Sequence, residues 1–87
     1  MVSQKVTISN PTGLHARPAG VLAKVAAPFK SDIYIFAGEK KVQVKSVLSI
    51  MAAAIKKGTE VEVQCSGEDE EQALKAIIEA LEGGLGE

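Results

Sequence analysis

The chain has no tryptophan, one histidine (His15), one arginine (Arg17), one cysteine (Cys65) and three aromatic residues (Phe29, Tyr34, Phe36). Each shortage excludes something. A lone cysteine forbids an internal disulfide and any multi-cysteine zinc site. With only three aromatics and no tryptophan there is no stacking platform for single-stranded nucleic acid, and one arginine in a chain with a pI near 5.8 argues against a basic stripe for DNA. No apolar run approaches the ~18 residues of a membrane span, and no charged-then-apolar leader is visible, so a cytoplasmic protein without membrane insertion is expected. One histidine and one cysteine on separate elements, with acids in solvated positions, supply neither a hydrolytic triad nor a paired-carboxylate site. No carboxylates stand at ligand spacing from His15, so neither metal nor cofactor is expected.

What is present is a folded composition, 46% hydrophobic and 24% charged, sized for a single domain over 1–87 with one modest core of Val, Ile, Leu and Ala. A net charge of −1 hides an asymmetry. Residues 1–58 hold nine Lys/Arg against two acids, whereas residues 59–87 hold one Lys against nine acids. The half containing His15 is basic and should attract acidic partners or anionic groups.

Alternation over 2–9 predicts a half-buried strand, ended by Asn10-Pro11-Thr12-Gly13. A helix is predicted over 16–27, with Ala19, Leu22, Val25, Ala26 and Phe29 on one stripe and Pro18 tolerated in the first turn. Gly20 weakens it by roughly 1 kcal/mol relative to Ala, a cost that close approach by a partner would explain. Strands follow over 32–37 and 41–44, joined at Gly38-Glu39. Ser46 reads as the N-cap of a short helix ending near Lys57, with Gly58 as its left-handed C-terminal residue. The clearest alternation, over 60–66, turns Val61, Val63 and Cys65 inward. A last helix begins at Asp69, where a capping box with Gln72 is expected, and ends at Gly83-Gly84, with Leu74, Ile77, Ile78 and Leu81 as its stripe. The predicted fold is α+β: a βαββαβα open-faced sandwich, with a four-stranded antiparallel sheet and three helices on one face.

Within this frame, TGLHARPAG (residues 12–20) concentrates the chemistry. Gly13 permits a sharp turn, and His15 falls at or beside the N-cap of the first helix. The unpaired N–H groups of Ala16 and Arg17, with the helix dipole, form a site for an anion. Arg17 adds a permanent cation whose fork matches phosphate oxygens. Together these parts are suited to taking a phosphoryl group on imidazole, holding it and passing it on. A histidine at a helix start is also commonly just a solvated cap, and Ser46 can be explained by capping alone. The short helix carries Ile50, Ala54, Val47, Met51, Ile55 and Leu48 over about 160° of its wheel. That is more than a small core needs, so Val47, Leu48 and Met51 are expected to be exposed as a partner patch. Cys65 is expected to pack inward as a small hydrophobe and is assigned no chemistry.

Gly13-Leu14-His15-Ala16-Arg17-Pro18-Ala19 resembles the active-site signature of HPr, the histidine phosphocarrier family of the bacterial phosphoenolpyruvate-dependent sugar phosphotransferase system. Lys45-Ser46-Val47-Leu48-Ser49-Ile50-Met51, followed by Lys57-Gly58, resembles that family's regulatory serine region, and the likeness extends to the closing Gly84-Leu85-Gly86-Glu87. The resemblance implies a carrier without independent substrate turnover. His15 would receive phosphate from phosphorylated enzyme I as a pros-phosphohistidine and deliver it to the IIA domains of sugar permeases, while Arg17 steadies the phosphate. It further implies that Ser46 is phosphorylated by an ATP-dependent HPr kinase/phosphorylase, and that the product binds the catabolite-control repressor. Docking would involve Gly20, Val47, Leu48 and Met51. A monomer with no direct nucleic-acid contact is expected. A nitrogen-branch paralogue, a mainly regulatory adaptor and a module that captures a phosphorylated ligand without covalent transfer are the alternatives.

Overall fold

Alternation in the first strand places Val6 in the interior and leaves Ser3, Lys5 and Thr7 exposed, the pattern of a strand with one buried face. In the computed structural model, which describes residues 1–86, this strand is β1 (Val2–Thr7). It is followed by α1 (Ala16–Ala26), β2 (Asp32–Ala37), β3 (Lys40–Gln43), α2 (Val47–Ala53), β4 (Glu60–Ser66) and α3 (Glu70–Glu82). A 3-10 turn, Gly84–Gly86, closes the described chain. Glu87, the last residue of the expected domain and of the closing tetrapeptide, lies outside the described residues.

The strands form one antiparallel sheet in the order β1-β4-β2-β3. Both β1 and β2 pair with β4, so they run parallel to each other on either side of it. The register aligns inward side chains in rows: Val63 of β4 opposes Ile35, which opposes Val42 of β3, and Cys65 opposes Ile33. These residues are buried, and Leu22 and Ala26 of α1, Ile50 of α2, and Ile77, Ile78 and Leu81 of α3 complete the same core. The helices cover this one face. On the other, Tyr34, Phe36, Glu62 and Gln64 are half-buried and Lys41 is exposed, its ammonium 4.4 Å from the Tyr34 ring centroid.

The predicted order and sheet are present, with four local corrections. First, β1 ends at Thr7 rather than Ser9, although pairing runs on through Ile8, whose N–H donates to the Thr59 carbonyl at 2.9 Å and whose carbonyl accepts from Gly58 at 2.7 Å. Secondly, β3 covers Lys40–Gln43 rather than 41–44, and α1 stops at Ala26. Thirdly, α2 does not reach Lys57. It ends at Ala53, with Ala54 in the left-handed region at φ +52° as the C-cap, and the Lys40 ammonium donates to the Ala53 carbonyl at 2.7 Å. Gly58 has the positive φ expected of it, but in the turn into β4. Fourthly, the Asp69–Gln72 capping box is not made. Asp69 is the N-cap but makes no side-chain bond to its own helix. Its carboxylate instead accepts from the Lys30 and Ser31 N–H groups, each at 2.9 Å, and from the Ser31 hydroxyl at 2.5 Å. Of the two expected stripes, Val25, Phe29 and Leu74 are only half-buried.

Candidate functional site

The site is built where the turn after β1 delivers the chain to α1. Gly13 adopts φ +69°, a conformation that costs a residue with a Cβ. An added Cβ would also lie 2.9 Å from the Lys56 Cα and collide with the Ile55 carbonyl oxygen, so only glycine fits against this backbone. The Gly13 N–H donates to the Asn10 carbonyl at 3.0 Å, and the Asn10 side-chain amide donates to the Gly13 carbonyl. Leu14 is fully buried and its N–H donates to the Ile55 carbonyl at 2.9 Å. Residues 13–14 are thus clamped to residues 55–56, and the next residue, His15, is exposed on a fixed base.

His15 is the N-cap of α1, with an extended backbone (φ −121°, ψ 154°) and no side-chain capping bond. The imidazole is therefore not occupied by its own helix. Ala16, the first helical residue, has φ +39°, a left-handed value that costs a non-glycine residue about 1–2 kcal/mol. The first turn carries no acidic residue, so nothing on α1 neutralises its positive end. Pro18 is buried in that turn and needs no N–H partner there. Arg17 is exposed, and its guanidinium makes no hydrogen bond or ion pair among the described residues. Beside His15 lies an open groove of about 270 Å³ lined by Thr12, His15, Ala54, Ile55 and Lys56. An imidazole free of the fold, a guanidinium two residues away and an unneutralised helix mouth form an arrangement able to hold a phosphoryl group. Among the described residues no cluster of His, Cys, Asp and Glu is suited to a metal ion.

Ser46 is also an N-cap, of α2, but its hydroxyl is in use. It accepts from the Ser49 N–H at 3.2 Å, and the Ser49 hydroxyl in turn accepts from the Gln43 N–H at 2.9 Å. Its neighbour Lys45 donates from Nζ to the Phe29 carbonyl at 2.6 Å. Apart from Met1, the exposed large apolar residues are Val47, Leu48 and Met51, with Leu48 at 81% exposure. The remaining apolar residues of the expected arc divide between Ile50 and Ile55, which are buried, and Ala54, which is exposed. Gly20 is half-exposed in α1, and a Cβ added there would meet nothing within 4 Å. No packing inside the chain requires its glycine. Cys65 is buried, and burial, with the charges of Glu70 and Asp69, pushes its thiol up to about 11, which suits the inert role expected of it.

No sequence pattern marks Lys56, which the 13–14 and 55–56 backbone contacts bring to the groove across more than forty residues of chain. Nor does any local signal mark Ala16 and Ala54 as the non-glycine residues that take positive φ at the site.

A family model described as PTS-HPr, the PTS HPr component phosphorylation site, matches residues 2–83. The phosphocarrier protein HPr of Mycoplasma capricolum is 47% identical over 81 residues, which cover 93% of this chain and 91% of that one. The crystal structure of HPr-C-His from Thermoanaerobacter tengcongensis superposes with a TM-score of 0.95 at 39% identity, covering 100% of this chain and 98% of that one. A crystal structure of an HPr dimer from the same organism matches with a TM-score of 0.79 at 39% identity, covering all of both chains. Because a dimer stands among these similar structures, the expectation of a monomer has no support from them and is not carried forward.

Proposed function

This chain belongs to the PTS HPr family of phosphocarrier proteins, and from that premise we propose that His15 is its phosphoacceptor. Phosphorylated enzyme I is the donor, and the IIA domains of sugar permeases are the recipients during sugar uptake. The observation that carries this reading is the state of His15: it caps α1 by position while its side chain makes no capping bond and stays exposed. In the transfer, a lone pair on the imidazole nitrogen forms the N–P bond while the bond from phosphorus to the donor breaks, its electron pair remaining on the donor. Delivery to a IIA domain reverses these roles. The chain needs no general base of its own, because a neutral imidazole nitrogen has no proton to lose before it attacks. The work left to the protein is positioning and charge stabilisation. Arg17 supplies a cation for the phosphoryl oxygens, and the Ala16 and Arg17 N–H groups supply donors at the positive end of α1. The protein acts in the cytoplasm as a carrier, with no turnover of a substrate of its own.

In the same reading, Gly20, Val47, Leu48 and Met51 form the docking surface, supported by the exposure of the three apolar side chains. Ser46 is the regulatory site for an ATP-dependent HPr kinase/phosphorylase, and the phosphoserine product is a ligand for the catabolite-control repressor. A phosphate on Ser46 would take over the capping of α2 from the hydroxyl. It would add about two negative charges next to the docking residues, opposing an acidic partner surface and attracting a basic one.

The direct test is incubation with phosphoenolpyruvate and enzyme I, followed by intact mass measurement. Wild type gains one acid-labile, base-stable phosphate and His15→Ala gains none. An unlabelled wild type, or label that persists in His15→Ala, overturns the reading. For the regulatory site, ATP and HPr kinase should label wild type but not Ser46→Ala, and Ser46→Asp should slow phosphorylation by enzyme I.

A further inference from the structure

We propose that Lys56 is a second cation for the phosphoryl group, holding from the 54–56 segment what Arg17 holds from α1. The inference rests on His15 being the phosphoacceptor. Lys56 and His15 line one groove of about 270 Å³, together with Thr12, Ala54 and Ile55, and no acidic side chain is among the lining residues. Their relative position is fixed by backbone. The Leu14 N–H donates to the Ile55 carbonyl at 2.9 Å, and the Cβ that Gly13 lacks would sit 2.9 Å from the Lys56 Cα. The turn after Lys56 is held as well, by the Thr59 N–H donating to the Lys56 carbonyl at 3.2 Å.

Two other lysines, on β3 and just before α2, are committed. The Lys40 ammonium donates to the Ala53 carbonyl and that of Lys45 to the Phe29 carbonyl. The Lys56 side chain is exposed and its ammonium makes no hydrogen bond or ion pair among the described residues. A phosphoryl group arriving on His15 brings up to about two negative charges, and the single charge of Arg17, which lies on α1 outside the groove's lining residues, can balance only one. A flexible ammonium with three donors, anchored at the wall of that groove, supplies the other. Lys56 neither gives nor takes a proton in the transfer. It donates hydrogen bonds to the peripheral oxygens while the N–P bond forms and the donor bond breaks. The phosphorylated form is thereby stabilised relative to the free one.

The test uses wild type, Lys56→Gln, Lys56→Arg and Lys57→Gln, each phosphorylated by enzyme I and phosphoenolpyruvate. Lys57 neighbours Lys56 but does not line the groove, so Lys57→Gln controls for net charge. Three quantities are read: the pH midpoint of the phosphohistidine phosphorus resonance, the ratio of phosphorylated to free protein at a fixed phosphoenolpyruvate-to-pyruvate ratio, and the KM for enzyme I. Lys56→Gln is expected to raise the midpoint by roughly half a pH unit and to lower the ratio about threefold, as fits a solvent-exposed ion pair. Lys56→Arg should restore both, and Lys57→Gln should match wild type. The proposal fails if the Lys56→Gln titration superimposes on wild type, if Lys57→Gln shifts equally, or if Lys56→Gln changes only the KM for enzyme I, which would make Lys56 a docking residue. A wild type that carries no phosphohistidine overturns the phosphoacceptor reading itself, an outcome separate from all of these.

Discussion

Two helix mouths in this molecule begin with an N-cap of matching extended backbone, and they dispose of the side chain in opposite ways. At α2, Ser46 turns its hydroxyl onto the Ser49 N–H, and Ser49 passes the connection to Gln43 of β3. At α1, His15 leaves its helix uncapped, and the rigidity comes from backbone contacts between residues 13–14 and 55–56. One mouth is closed by its own serine and the other is left open on a fixed frame. An open mouth retains its unpaired donors and positive potential for a ligand. A closed one has satisfied a donor already, so a phosphate there must displace a structural bond. The comparison separates a side chain kept for chemistry from one that serves the fold and can be converted into a signal.

The frame of the open mouth is where a substitution should cost most. Gly13→Ala forces a left-handed residue against the Ile55–Lys56 backbone. The expected destabilisation is about 2–5 kcal/mol, combining the left-handed penalty with overpacking against an unyielding neighbour. Urea melts would measure it. A loss below about 0.5 kcal/mol would mean that the 55–56 segment yields and does not fix His15.

A pair of variants separates the open mouth from the closed one. Ser46→Ala should lower stability by about 1 kcal/mol, because the Ser49 N–H loses its cap. His15→Ala should change stability by less than about 0.5 kcal/mol while abolishing phosphorylation by enzyme I, since no structural bond is lost. Equal thermal costs for the two would break the distinction between open and closed mouths.

A third mouth, that of α3, supplies a pH test. Asp69 is held down at about 2, from an ordinary 3.8, first by the Ser31 hydroxyl and next by the Lys30 N–H. A carboxylate depressed in the folded state contributes stability that is fully present above its unfolded value. That contribution is lost as pH falls through the folded one. Thermal melts should therefore show a decline between about pH 4 and pH 2 that is reduced in Asp69→Asn. The effect is modest because the group is open to solvent. An identical acid slope in the variant would remove Asp69 from the groups that tie α3 to the segment after α1.

These three mouths also explain what is legible in the residues. Strand alternation, the Gly13–His15–Pro18 spacing and the Ser46 cap are local, and each can be read because the physics that sets it acts within a few positions. The Asp69 box fails as a local reading because Lys30 and Ser31, nearly forty residues away, compete successfully for the same carboxylate. The end of α2 escapes the sequence pattern because the Lys40 ammonium on β3 closes it at Ala53, and an alanine takes the left-handed position that glycine usually marks. Lys56 belongs to the site through a backbone contact that no periodicity encodes.

A small effect of the opposite sign is expected on α1 itself, one turn beyond the open mouth. Gly20 costs helix stability, and a Cβ there would touch nothing within 4 Å, so Gly20→Ala should raise stability by about 0.5–1 kcal/mol, visible as a higher Tm. If the missing side chain instead admits the backbone of enzyme I, the same variant should be phosphorylated more slowly although it is more stable. The two readouts then move in opposite directions, which a purely structural glycine could not produce. A higher Tm with an unchanged rate would remove Gly20 from the docking surface and leave Val47, Leu48 and Met51 as its apolar part.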